Sequence, residues 1–138
     1  LIDFEGIDVL DLFAGTGSIS YEFASRGAAS VTSVEINAVH YDFIRSTARA
    51  YHLDAIHAVK ANVFLYLKNA SKRYDVIFSD APYDLEGSER VVDMVLGREM
   101  LKEGGIFVFE HSKDKSFAGH PRLYDVRNYG SVHFSIFR

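Results

Sequence analysis

The sequence predicts an α/β fold: an open, mostly parallel sheet, doubly wound, with helices covering both faces. Apolar runs of strand length alternate with helix-length segments along the chain, which is the mark of strand–helix–strand units. The first apolar run passes straight into a glycine-containing turn. With 138 residues, 48% of them hydrophobic and 25% charged, the chain has material for one ordinary globular core and is too short for two.

The first strand is read at Val9-Leu10-Asp11-Leu12-Phe13, followed by Ala14-Gly15-Thr16-Gly17. Ile19 and Phe23, four apart, then mark a short helix that Gly27 can terminate. Ser30 to Glu35 is the second strand, and Asn37 is a plausible N-cap for a helix carrying Ile44, Ala48 and Tyr51 on one face. A short strand follows at Ile56 to Lys60. Asn62 opens a third helix with Val63, Tyr66 and Leu67 at helical spacing, ahead of the strongly apolar strand Tyr74 to Asp80.

Glu86 to Leu101 has a helical pattern whose buried side is Val91, Val92, Val95 and Leu96. Gly104-Gly105 then punctuates the entry to a fifth strand, Ile106 to Glu110. Lys113 to Gly119 reads as a polar loop. In the tail, Arg122 to Arg127 and Ser131 to Phe137 alternate apolar and polar residues around Tyr129-Gly130, which predicts an antiparallel hairpin.

Composition excludes several functions. Nineteen acidic against fifteen basic residues give a formal net charge of -4, which argues against a domain held to nucleic acid by bulk electrostatics. The absence of cysteine removes disulfides, thiolate zinc sites and cysteine nucleophiles, and fits a reduced cytoplasm. No apolar stretch approaches the roughly 18 residues of a membrane span, so a soluble, membrane-free protein is expected. The chain opens without methionine just ahead of its first core strand, and a missing N-terminal segment is expected.

Ligands of open parallel sheets bind beyond the carboxyl ends of the strands. There, Asp11 is followed by Gly15 and Gly17, whose missing Cβ atoms permit a sharp turn and close backbone approach. Glu35 ends the second strand, 18 residues beyond Gly17, where a carboxylate can take both ribose hydroxyls of a nucleoside. A nicotinamide dinucleotide site would want G-x-G-x-x-G, but Ser20 stands at the third glycine position, and Asp11 would meet a pyrophosphate with a negative charge. The same acid suits a ligand with a cationic amino-acid end, such as S-adenosyl-L-methionine. A plain packing turn at Gly15 and Gly17, with Glu35 a solvated strand end, is the alternative.

A second constellation, Ser79-Asp80-Ala81-Pro82-Tyr83, ends the fourth strand. The exocyclic amino group of a base is a poor nucleophile because its lone pair is delocalised into the ring. A carboxylate at Asp80 and the carbonyl of Ala81, accepting its two N–H bonds, would localise that lone pair and aim it at a methyl donor. Pro82 would stiffen the turn and Tyr83 would give an extruded base a flat face to stack on. Alone, the tetrapeptide is an ordinary turn; combined with the first constellation, it reads as a site.

The six histidines carry no metal-ligand spacing, so no metal is expected, and each reads as a surface or packing residue. His111, at the end of the fifth strand, could face the pocket rim, although packing is the favoured reading. Neither a G-x-S-x-G elbow nor a P-loop lysine is present, which leaves serine hydrolases and nucleotide triphosphatases without an anchor.

With these residues in place, the chain resembles the catalytic domain of the class I S-adenosylmethionine-dependent methyltransferases, and most closely the RsmD family, the bacterial 16S ribosomal RNA guanine-N2 methyltransferases. The resemblance runs through Val9 to Gly17 with Ser25-Arg26-Gly27-Ala28 behind it, Val34 to Asn37, Asp75 to Tyr83 and Gly104 to Glu110. It implies a Rossmann-like sheet of seven strands with the last antiparallel, forming a single domain over residues 1–138. It implies that Asp11, Gly15 and Gly17 line the methionine end of the cofactor, that Glu35 holds the ribose, that Asn62 with Val63 lies beside the adenine, and that Phe13 and Ile36 are also cofactor-binding. Asp80, which also borders the cofactor, acts with Ala81, Pro82 and Tyr83 as the catalytic motif.

That motif is usually Asp-Pro-Pro-Tyr or Asp-Pro-Pro-Phe in the family, and Ala81 replaces its first proline. The exchange keeps every functional group and frees one φ angle. Members also carry a basic segment ahead of the first strand that helps cover the cofactor and meet RNA, and this chain shows none. The implied activity is methyl transfer to N2 of a guanine in 16S ribosomal RNA, of the guanine-966 type, with ribosomal RNA or the small subunit as partner and a cytoplasmic monomer as the working form. Three alternatives stay open: transfer to adenine N6 or a glutamine amide, a cofactor- or RNA-binding module without turnover, and a nicotinamide oxidoreductase.

Overall fold

A computed structural model describes residues 3–138. In chain order the elements are β1 (Asp8–Leu12), α1 (Ser18–Ser25), β2 (Ser30–Glu35), α2 (Ala38–Ala50), β3 (Ile56–Lys60), α3 (Val63–Lys68), β4 (Tyr74–Asp80), α4 (Arg90–Gly97), β5 (Leu101–His111), β6 (Leu123–Tyr129) and β7 (Val132–Phe137). Among the described residues these strands form one seven-stranded sheet of order β3-β2-β1-β4-β5-β7-β6. Strands β1 to β5 pair in parallel, while β7 runs antiparallel to both β5 and β6. The strand order reverses between β1 and β4, and this opens a crevice at their carboxyl ends.

Central strands buried on both faces explain the continuous apolar runs of β1 and β4. One face packs Leu10, Leu12, Ile77 and Phe107 against Val63 and Leu67 of α3 and Val91, Val92, Val95 and Leu96 of α4. The other face packs Val9, Val31 and Val76 against Phe23 of α1. Phe107 and Phe137 stack at 5.8 Å between centroids and join the terminal hairpin to this core. Lys102 bridges Asp8 at 2.8 Å and Asp75 at 3.2 Å at the opposite, amino-terminal end of the sheet.

Three local expectations need correction. The helix read from Glu86 to Leu101 is shorter: residues 86–89 form a turn, α4 spans Arg90–Gly97, and Leu101 belongs to β5. Periodicity alone missed the stop, where Glu99 takes a φ of 53°. Gly104-Gly105 lies inside β5, where the β4–β5 register shifts, so the pair marks a bulge within the strand. A Cβ on Gly105 would stand 2.9 to 3.0 Å from the carbonyl oxygens of Lys102, Asp75 and Tyr74, which leaves room for glycine alone. On α2 only Ile44 is buried; Tyr51 caps the helix and is exposed. The helix caps were legible, since Asn37 Oδ1 accepts from His40 N–H at 3.0 Å and Asn62 Oδ1 from Phe64 N–H at 2.9 Å. No helix among the described residues is long and apolar enough to cross a membrane.

Candidate active site

A cleft of about 730 Å³ opens at the carboxyl ends of β1, β2, β4 and β5, at the reversal in strand order. Its floor begins where β1 ends. Phe13 leaves the strand with a φ of 57°, an uncommon conformation for a residue with a Cβ, and such strain costs about 1–3 kcal/mol. Ala14 N–H donating to Val34 O at 3.0 Å and Gly17 N–H donating to Ala14 O at 2.9 Å hold the turn against it. Gly17 has a φ of 92° and is the N-cap of α1, and a Cβ there would lie 2.7 Å from Tyr21 Cζ. Tyr21 in turn donates its hydroxyl to Thr16 O at 2.6 Å, pinning the loop from outside.

Two carboxyl groups are fixed by this turn in different ways. Glu35 is 9% exposed; its Oε1 accepts Gly15 N–H at 2.7 Å and its Oε2 accepts Asn37 N–H at 2.8 Å. Each oxygen keeps a further lone pair for a hydroxyl donor. Asp11 is 2% exposed and Ser20 donates to its Oδ2 at 2.6 Å, with Ser33 Oγ 2.6 Å from Ser20 Oγ. When Asp11 is ionised, Ser20 gives its one hydroxyl proton to the carboxylate and Ser33 donates to Ser20. Burial pushes the Asp11 carboxyl up to about 7, outweighing the Ser20 hydrogen bond, and the nearby Asp80 and Glu35 add to the rise.

Asp80 ends β4 and the chain then turns through Ala81, which is buried, and Pro82. Leu85 N–H donates to Pro82 O at 3.0 Å and closes that turn. Tyr83 stands at the mouth, 64% exposed. Opposite Asp80, Glu110 on β5 lines the same cleft. Burial raises both carboxyls, Glu110 to about 7, and the neighbouring Asp80 charge contributes to the rise at Glu110.

The cleft gathers most of the residues that the sequence singled out: Asp11, Phe13 and Gly15, Glu35 and Ile36, and Asp80 through Tyr83. Gly17, Asn62 and Val63 are not among its lining residues. Gly17 shapes the turn from below, Asn62 spends its side chain on capping α3, and Val63 packs in the core. His111 is a packing residue, stacked on Phe109 at 5.8 Å, with Nδ1–H donated to Ser112 O and Nε2 2.8 Å from Ser135 Oγ.

Four contributors escaped the sequence reading. Ser20 was visible only as a missing glycine, yet it holds Asp11, with Ser33 behind it. Glu110 becomes visible only once β4 and β5 are set in register. His40, in the first turn of α2, is a surface residue that lines the cleft.

Asp11, Glu35, Asp80 and Glu110 thus face one cavity that, among the described residues, no lysine or arginine lines. This donor set favours a cation with hydroxyl groups and opposes a phosphate. Among the described residues no three His, Asp or Glu side chains are placed to hold a metal ion.

A sheet with this order, its one reversed strand at β7 and a ligand-sized cleft between β1 and β4, has the class I methyltransferase fold. Within that class, the chain belongs to the family described as Conserved hypothetical protein 95, whose model matches residues 2–138. It is 29% identical over 101 residues to ribosomal RNA small subunit methyltransferase D of Buchnera aphidicola subsp. Baizongia pistaciae, covering 73% of this chain and 52% of that one. The chain spans about half the length of the small-subunit methyltransferase D relatives it matches. Among solved structures it is similar to yhhF of Escherichia coli, with a TM-score of 0.88 at 19% identity over 97% of this chain and 77% of that one. SMU.776, complexed with SAH, superposes with a TM-score of 0.77 at 23% identity over 97% of this chain and 46% of that one.

Proposed function

We propose that the chain forms one methyltransferase domain of an S-adenosyl-L-methionine-dependent enzyme that methylates the N2 amino group of a guanine in small-subunit ribosomal RNA. The observation that carries this reading is the cleft's charge: four carboxyl groups and, among the described residues, no lining lysine or arginine. A dinucleotide would bring a pyrophosphate against those carboxylates, whereas S-adenosylmethionine brings a sulfonium, an ammonium and two ribose hydroxyls. The relatives named small subunit methyltransferase D support ribosomal RNA as target, and with it the cytoplasm as the place of action.

Bound in this cleft, S-adenosylmethionine supplies an electrophilic methyl group whose bonding electrons leave with a neutral thioether. The chain's own residues do the rest. The Gly15 turn lets backbone approach closely, and Glu35, already oriented by two backbone N–H groups, accepts the ribose hydroxyls. Asp11 supplies negative potential at the methionine end, with Phe13 and Ile36 as apolar walls. Asp80 and the Ala81 carbonyl accept the two N–H bonds of the target amino group and turn its lone pair into the cleft. Tyr83 stacks the extruded base, a contact worth about 1–3 kcal/mol.

Calorimetric titration should give saturable binding of S-adenosylmethionine and none of a nicotinamide dinucleotide. Incubating the full-length protein and labelled cofactor with small ribosomal subunits lacking this methylation should then put label in guanine N2. Label in adenine or in protein would overturn the substrate. Adenine N6 is the second reading, because Asp80, Ala81 and Tyr83 recognise an amino group on a flat ring and nothing else of the base.

A further inference from the structure

Two carboxyl groups end adjacent parallel strands at the cleft. Asp80 and Glu110 are register partners on β4 and β5, so their side chains leave the sheet on the same face, and both line the cavity. As register partners on adjacent parallel strands, their backbones lie about 5 Å apart. The other titratable groups facing this space are Asp11 from β1, Glu35 from β2, His40 from α2 and Tyr83 from the loop after β4. Lys115, on the loop after β5, is engaged with Glu89 at 3.3 Å.

Two carboxylates placed side by side repel, and a single proton between them turns the repulsion into a charge-assisted hydrogen bond. The two sites are unequal. Asp80 passes directly into the turn that carries Ala81, Pro82 and Tyr83, while Glu110 stands beside it on the next strand. With the shared proton on Glu110, the charge falls on Asp80, the residue that ends β4 at the cleft.

We propose that Glu110 is a positioning residue: its carboxyl O–H holds Asp80 as an oriented carboxylate against the target amino group and passes on the proton that this group releases. The inference rests on the amino-group methylation proposed above. An amino nitrogen that gains a bond to carbon must lose one of its two protons to return to neutrality. Asp80 accepts that proton; Glu110 gives its own to water at the open side of the cleft and takes up the one on Asp80. The pair thus ends with one proton, as it began, and one proton reaches solvent for each methyl group transferred.

Carboxyl-carbon NMR titration of the complete chain without cofactor tests the pair directly. Glu110 should titrate near neutral pH in the wild type and fall toward the ordinary glutamate range in Asp80→Asn. An ordinary Glu110 titration in the wild type, or one unmoved by Asp80→Asn, overturns the proposal whatever the enzyme does.

Kinetics supply the second readout. Glu110→Gln keeps a hydrogen-bond donor but cannot relay a proton, so kcat should drop roughly 100-fold with the cofactor Kd unchanged. The loss of rate that Glu110's own ionisation causes as pH rises through about 7 should disappear from the pH–rate profile, and Glu110→Asp should restore part of the rate. Wild-type kcat and an unmoved profile in Glu110→Gln would overturn the inference and leave the methyltransferase reading intact. A wild-type protein that neither binds S-adenosylmethionine nor transfers methyl would remove that reading, and this inference with it.

Discussion

Replacing Asp11 with asparagine should stabilise the empty protein at neutral and alkaline pH. Asp11 is 2% exposed and is held at 2.6 Å by Ser20, and burial raises its carboxyl from 3.8 to about 7. A raised value in the folded state means that the native protein holds this proton while the unfolded chain releases it. Stability from this group is therefore complete below about pH 3.8 and is lost as pH climbs to about 7, beyond which the loss is constant. A rise of roughly three pH units at about 1.36 kcal/mol each amounts to about 4 kcal/mol.

An asparagine in this place would titrate nowhere in the range, and its amide oxygen can still accept the Ser20 hydroxyl. Urea unfolding of wild type and Asp11→Asn at pH 4 and pH 8 should thus show a difference that grows in the variant's favour by up to about 4 kcal/mol. The same substitution should weaken S-adenosylmethionine binding on the proposed function, because it deletes the charge facing the cofactor's cationic end. Binding by the wild type below neutral pH should release a proton, read calorimetrically in buffers of different ionisation enthalpy. A pH-independent stability difference would refute the assignment of the raised carboxyl to Asp11; unchanged cofactor affinity would refute its electrostatic role.

Gly17→Ala forces a Cβ to 2.7 Å from Tyr21 Cζ at a φ of 92°, so it should lower stability by about 1–3 kcal/mol in thermal unfolding and loosen the turn after β1. Glu35→Gln presents an amide N–H₂ to one of two backbone N–H groups, Gly15 or Asn37, and calorimetry should show at least about a tenfold loss of cofactor affinity. Tyr83→Ala, at an exposed position, should change stability by less than about 0.5 kcal/mol yet lower kcat/KM for the RNA by about 10- to 100-fold.

The sheet was legible because its signals are local: β3 and β4 run over Ile56–Lys60 and Tyr74–Asp80, the spans read from apolar runs, and Asn37 and Asn62 cap the helices they were expected to open. Errors arose where a backbone conformation overrode composition, as at Glu99 and in the Gly104-Gly105 bulge. At the site, the sequence revealed residues that end strands or make turns, namely Asp11, Glu35 and Asp80 to Tyr83. It could not reveal what supports them across strands. Ser33 matters because β2 brings it beside Ser20, and Glu110 because β5 sets it against Asp80. Those are facts of register, which an isolated strand pattern does not contain.

The chain's acidity takes a different meaning once these carboxylates are located. Nineteen acidic and fifteen basic residues differ by four, and four acidic residues line the cleft. Outside the cleft, acids and bases are therefore balanced. The charge that in bulk opposes nucleic acid is concentrated where a sulfonium would sit, and a proton held by Glu110 and another on the buried Asp11 reduce it further near neutral pH. On the proposed function, an RNA approaching Tyr83 meets the acidic hole of the cleft and, just after Tyr83, Asp84, Glu86 and Glu89. On that function, what Asp80, Ala81 and Tyr83 contribute to holding the target is the stacking of one base and the capture of its amino group. Selectivity then rests on which base can be extruded to reach Asp80, a property of the RNA's local structure as much as of the protein's charge.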